Sequence, residues 1–281
     1  DLIDAHRWLA IAYYDIGLMD ETLRHLQRVA ELDPRDPRPH RIMAVIHMDH
    51  GSNALAVEDF EESLGRDSRQ LDRQEILEEL SQAQIGLKRY EDALRTLDAC
   101  EQTAKVLAMR ADASYSLSNP ADTRRLAQAA LDSDSEQRLA LLVMGKLALD
   151  DRRHEEAVKI LSQAARVARA DYDVQYTYYT ALRAAGRTQD AEKQLAVTEE
   201  LRQRHDEFNA LVEDVVADPY NAQIRYHLGI LAGQLDMPRI AQSWLKAAVA
   251  LNPNHALARN ELEKYDPALS GAAVLLRADA K

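Results

Sequence analysis

RWLAIAYYDIGLMDETLRHLQRVAELDP, residues 7–34, holds two amphipathic helical patterns joined at Gly17 and stopped at Asp33-Pro34. Leu9, Ala12, Tyr13 and Ile16, with Trp8, place bulk along the first at helical spacing. Leu23, Leu26, Val29 and Ala30 do so along the second. Gly17 suits a helix C-terminus that needs a left-handed residue, Asp20 is a candidate N-cap, and Pro34 and Pro37 cannot continue a helix. The punctuation returns at about 34-residue spacing: Gly17 is answered by Gly51 and Gly186, and Pro34 by Pro219 and Pro253. The chain therefore reads as one helical hairpin repeated.

Working outward, the second hairpin runs from about Pro39 to Leu64, and the third carries Leu77, Leu80, Ala83, Tyr90, Ala93 and Leu97. The fourth reads as irregular, with Ser118-Asn119-Pro120 at its turn and Asn or Ser capping a helix that has Pro early. The fifth has Met144, Gly145, Ala157 and Leu161; the sixth has Tyr178, Tyr179, Leu182 and Gly186. Neither Gly nor Pro interrupts Gln189–Ala217, and an apolar stripe through Phe208, Leu211, Val212 and Val215 predicts one long helix or two collinear ones. The seventh hairpin has Leu228, Gly229, Ala241, Trp244, Leu245 and Ala248. A final helix over Ala256–Tyr265 covers the open end, and a short tail, 266–281, carries Leu275 and Leu276.

Composition narrows the classes. The 281 residues are 46% hydrophobic, so the chain folds, and Val/Ile/Thr alternation is missing, so no sheet is expected. A net charge of −12 repels nucleic acid and anionic membrane surfaces. No apolar run approaches a transmembrane length. The single Cys100 excludes an internal disulfide framework and reads as a small buried side chain. That is compatible with a reducing compartment, the cytoplasm being favoured. The chain starts at Asp1, so a signal segment or a neighbouring domain can lie beyond it.

Residues 7–34 resemble the tetratricopeptide repeat (TPR). Leu9, Ala10 and Tyr13 follow a large residue near Trp8, and Thr22, Leu26, Val29 and Pro34 take the second-helix positions. Leu228, Gly229, Ala241, Leu245, Ala248 and Pro253 match more closely, and Met144, Gly145, Ala157, Leu161 and Ala164 again. The resemblance spans Ile3 to Tyr265. It implies an all-α, right-handed solenoid of about seven hairpins with a C-terminal capping helix over 1–265, kinked or divided near 100–135 or 190–217. Small residues at Ala10, Gly145, Ala157, Gly229 and Ala241 let helices approach. First helices line an inner wall, which in similar proteins binds peptides.

By register that wall carries Arg7, Ile11, Tyr14, Arg41, Val45 and Met48, with Tyr176 and Tyr226 further along. Guanidinium groups beside apolar side chains suit a peptide with carboxylates and apolar anchors. The alternative is a solvated wall whose arginines pair with Asp15 and Asp49. The carboxylate clamp of some family members is missing, since Ile11 and Val45 stand where it has Asn. Tyr172, Tyr176, Tyr178 and Tyr179 form a second group, with Tyr176 facing inward and Tyr178 and Tyr179 facing the packing. His47 and His50 lack a third ligand in sequence, and His40 and His47 read as packing residues. No phosphate loop, nucleophile elbow or HExxH occurs. The expectation is a non-enzymatic scaffold without cofactor, binding a protein or peptide and open to self-association. The alternative is a regulatory or substrate-presenting region of a larger enzyme.

Overall fold

The computed structural model describes residues 2–265; the tail with Leu275 and Leu276 lies outside the described residues. Those residues form fifteen α-helices and no strand. Seven hairpins pair α1 (Leu2–Asp15) with α2 (Met19–Leu32), α3 (Arg38–Asp49) with α4 (Asn53–Arg66), α5 (Arg73–Gly86) with α6 (Tyr90–Asp98) and α7 (Ala104–Ser116) with α8 (Pro120–Ser133). They continue with α9 (Arg138–Asp150) and α10 (His154–Val167), α11 (Tyr172–Ala184) and α12 (Thr188–Ala217), and α13 (Ala222–Gln234) and α14 (Pro238–Leu251). The last helix is α15 (Ala256–Leu262). The uninterrupted stripe from Gln189 is one helix, the 30-residue α12. The fourth hairpin has helices of ordinary length; the short member is α6, nine residues ending before Cys100.

All seven hairpin turns close in the same way. The second residue past the first helix is left-handed. Its N–H bonds a carbonyl three back, and the next N–H reaches five back: Gly17 to Tyr14 and Leu18 to Tyr13, Lys88 to Ile85 and Arg89 to Gln84, Asp236 to Gly233 and Met237 to Ala232. This double closure satisfies carbonyls that a helix end would leave bare. Glycine holds the left-handed place at Gly17, Gly51 and Gly186, but Lys88, Ser118, Arg152 and Asp236 hold it elsewhere at φ of 57–60°. That is why glycine spacing alone shows fewer repeats than exist.

Helix starts are less uniform. Asn119 caps α8 by accepting from the Asp122 N–H, with Pro120 following. Asp20 does not cap α2: the cap position is Leu18, and Asp20 falls inside the first turn, where its charge still favours the helix N-terminus.

Two compact units divide the chain. Unit 1 comprises 1–73 and 204–281, and unit 2 comprises 74–203, so α12 contributes to both. In unit 1, Ala10, Ile11, Leu26, Ile42, Met43 and Ile46 form a core. In unit 2, Leu141, Leu142, Ala157, Leu161, Val174 and Leu182 belong to another. The small positions work by contact. A methyl on Gly145 would sit 2.4 Å from Leu161 Cγ, and one on Gly229 would sit 2.6 Å from Leu245 Cγ. Both leucines are fully buried, each contributing about 1.5–3 kcal/mol. Cys100 is buried. Trp8 corrects the sequence reading: it is 56% exposed, with Leu2 and Leu9 exposed beside it, and Ala10 and Ile11 face the core instead.

Candidate functional site

Unit 1 brings the first two hairpins against the second half of α12 and the last hairpin. The Gly17 turn is where they meet. A methyl there would lie 2.6 Å from the Arg225 guanidinium and 2.8 Å from Ala247 Cβ, so close approach and left-handed backbone both require glycine. Arg225 is 1% exposed. It donates to the Gly17 carbonyl at 3.2 Å and to the Pro219 carbonyl, and its guanidinium lies 5.6 Å from the Trp244 ring centroid. Burial lowers its pKa. Among the described residues no carboxylate pairs with it; carbonyls just beyond the C-terminal ends of α1 and α12 face it instead, where the helix dipoles favour a cation. A second tie links Arg239 to Asp49 at 3.1 Å.

A cavity of about 290 Å³ opens beside these ties. Tyr14, Met19, Ile46, Phe208, Val212, Ile240 and Trp244 supply apolar wall, and Asp49, His50, Asn209 and Ser243 supply polar groups. The low-polarity setting shows in the titrations. Burial, helped by Asp49, pushes the Tyr14 hydroxyl up to about 12. Burial raises Asp49 against the pull of Arg239, and it lowers His50, with His47 adding to that. A second cavity of about 590 Å³ adjoins it through Met19, Ile46, His50, Val212 and Trp244. Its lining includes Leu55, Val216 and Tyr220, which are 47%, 80% and 67% exposed. These exposed apolar side chains rim the concavity.

The residues expected on the inner wall have separate fates. Tyr14 lines the cavity. Ile11 and Val45 are buried, and Met48 is half-buried. Arg7 pairs with Asp36 at 3.0 Å and with Asp4. Arg41 is 3% exposed, bonds Asp72 at 3.1 Å and lies 5.9 Å from the Phe60 centroid. These acids are not Asp15 and Asp49. Tyr226 is partly buried against the His227 and His255 rings. His40 and His47 both address Asp59, at 2.6 and 3.6 Å. The sequence reading missed Trp244, Phe208 and Val212 as cavity residues. They were visible only as core periodicity, since nothing local says that α12 and α14 meet hairpin 1.

Unit 2 presents a polar and aromatic wall along α7, α9 and α11. Tyr172 and Tyr176 stack at 5.9 Å with planes 11° apart, and Tyr179 follows at 5.8 Å. Tyr176 is 48% exposed, while Tyr178 and Tyr179 pack partly into the core. The Arg183 guanidinium lies 5.8 Å from the Tyr179 centroid, and the Lys146 ammonium 6.0 Å from that of Tyr115. Tyr115 donates to Asp150 at 2.9 Å. Burial and that carboxylate push its hydroxyl up to about 12. Burial raises Asp112, with Lys146 opposing and Asp173 adding to the rise, so these three charges share the wall.

No family model matches the chain and no curated protein matches it. Solved structures do. A tetratricopeptide repeat protein from Parabacteroides merdae ATCC 43184 aligns at TM-score 0.56 and 14% identity, over 93% of this chain and 98% of that one. PilW, a type IV pilus biogenesis factor, aligns at 0.53 and 14% identity, over 70% and 91%. The APC/C hetero-tetramer Cut9-Hcn1 aligns at 0.51 and 11% identity over 87% of this chain, which spans about half (48%) of that one. With seven hairpins closed by one turn geometry and small residues seating leucines at matching positions, the described residues have an all-α fold of helical hairpins, the fold of the tetratricopeptide repeat protein they align with.

Proposed function

We propose that the chain is a non-enzymatic protein–protein interaction scaffold, holding a segment of a partner protein by its apolar side chains at the unit 1 cavities. The observation that carries this is the open apolar rim of Leu55, Val216 and Tyr220 around a concavity floored by Met19, Val212 and Trp244. Aromatic and Met side chains give area and adaptability, and Tyr14, Asp49, His50 and Ser243 can orient a backbone. An acidic partner oriented by Arg7 and Arg41 would have to draw them from Asp36 and Asp72, whereas apolar anchoring needs no such exchange. A partner-binding role also agrees with the hetero-tetrameric Cut9-Hcn1, which shares the fold.

A photocrosslinking residue at Val216 or Tyr220 tests it. Both sites should capture the same partner segment, apolar at the crosslinked positions. With the crosslinker moved to Leu55 on the same rim, Val216→Asp with Tyr220→Asp should abolish capture while leaving the circular dichroism unchanged. Capture that persists in this variant would overturn the reading.

A further inference from the structure

The aromatic face of α11 lies in the other unit and is independent of the cavities. Tyr172 and Tyr176 are stacked at 5.9 Å, and Tyr176 is half in solvent. Stacking along a helix fixes the rings as a platform, and an aromatic face attracts a cation through its quadrupole. The wall already uses that chemistry twice. Arg183 lies over Tyr179 and Lys146 over Tyr115. No protein cation lies over the Tyr172 or Tyr176 ring among the described residues.

The charges beside the platform agree in sign. Asp173 precedes Tyr176 by one helical turn and shares the wall with Asp112 on α7. Neither carboxylate has an ion-pair partner among the described residues, whereas Glu78 holds Lys105 at 2.6 Å, Glu155 holds Arg187 at 2.5 Å, and Asp171 holds Arg138. Lys146 acts on Asp112 with its opposite charge, and Asp150, bonded by Tyr115, adds a third carboxylate. Two unpaired carboxylates beside open tyrosine rings are complementary to cations and would repel an acidic segment.

We propose that this α7–α9–α11 wall binds a basic segment of a partner protein, with Arg or Lys side chains over Tyr172 and Tyr176 and paired with Asp173 and Asp112. An Arg is favoured at the ring position, since its planar guanidinium stacks and still offers donors to Asp173. The chain then offers two chemistries, an apolar concavity in unit 1 and an acidic, aromatic wall in unit 2.

The test uses the full chain and a fluorescein-labelled twelve-residue peptide of alternating Arg and Gly, followed by anisotropy at physiological salt. A Glu–Gly peptide is the control. A protein of net charge −12 attracts any polycation, so the variants decide. Asp112→Asn with Asp173→Asn should weaken binding at least tenfold. Glu91→Gln with Glu192→Gln removes the same charge elsewhere in unit 2 and should change it less than twofold. Tyr176→Leu should weaken it severalfold, and Tyr176→Phe, which keeps the ring, should not. Equal losses from both acid pairs would reduce the effect to bulk charge and overturn the proposal. So would no saturable binding by the wild type, or Leu and Phe behaving alike. Val216→Asp with Tyr220→Asp should leave this binding intact, so failure here and failure of the apolar site are separately readable.

Discussion

Replacing Arg225 with Met should destabilise unit 1 by about 3 kcal/mol, the net of several terms. The wild-type side chain is 1% exposed and carries a charge with no carboxylate beside it. Desolvation of such a group costs several kcal/mol, which Met removes. Against this, two carbonyls just past helix ends, Gly17 and Pro219, lose a charged donor at about 1–3 kcal/mol each. The cation–π contact with Trp244, about 2 kcal/mol when desolvated, is exchanged for a weaker thioether contact. Nε already lacks a partner, so nothing is lost there. Arg225→Lys should do no better. An ammonium keeps the buried charge but cannot fork to both carbonyls.

Trp244 reports the change directly. It is 9% exposed and should emit to the blue, whereas Trp8, at 56% exposure, emits to the red in folded and unfolded states alike. Guanidinium unfolding followed at the blue edge should shift to lower denaturant in Arg225→Met. Far-UV circular dichroism should resolve a second transition that does not move, since unit 2 is separately compact. An Arg225→Met protein as stable as the wild type, or more so, would refute the reasoning. It would mean that the buried charge costs more than its two carbonyl bonds return.

Gly17→Ala and Gly51→Ala both strain a left-handed residue, at about 1–2 kcal/mol, but Gly51 has open space while Gly17 faces Arg225 and Ala247. Gly17→Ala should therefore be the more damaging by about 1–3 kcal/mol in chemical denaturation. Arg152→Gly, at an exposed turn with φ 60°, should stabilise by roughly 0.5 kcal/mol, seen as a higher melting temperature. Burial alone would raise the Asp36 carboxyl, but hydrogen bonds and charge from Arg38 and Arg7 outweigh it and hold it below its ordinary 3.8. Its stabilisation is thus full above pH 3.8 and fades as pH falls through the lower folded value. Asp36→Asn should cost about 2 kcal/mol at pH 7 and progressively less below pH 3.8 in pH-dependent unfolding.

Hairpin number, the small–large pairs and the long α12 were legible because they are local or strictly periodic. Gly145 and Leu161 announce themselves by spacing, and α12 by the lack of any breaker from Gln189 to Ala217. Trp8 misled because bulk was taken for burial. Leu2, Trp8 and Leu9 are exposed, while the smaller Ala10, with Ile11, takes the core-facing positions of α1. The arginines misled for a different reason. Register puts Arg7 and Arg41 on the wall, but it does not say that Asp36 and Asp72 stand in the inter-hairpin turns to meet them.

The cavity was illegible for want of long-range information, yet one trace of it was present. The place eleven residues before each left-handed turn residue holds His6, His40, Leu77, Leu107, Leu141 and Gln175 in the first six hairpins. In the seventh the same place, 225 against 236, holds Arg. A cation in a core slot of a repeat has two physical outcomes. It can reach solvent, or it can find enough oxygen inside to stay buried. Most backbone oxygens within a hairpin are committed to helix bonds, and Arg225 is met by carbonyls just past helix ends outside its own hairpin. Gly17 and Pro219 supply them, 208 and 6 residues away. Gln175, in the same place of the sixth hairpin, is satisfied by the Ala165 and Ala168 carbonyls of the hairpin before it, whereas Arg225 also reaches the turn of the first hairpin.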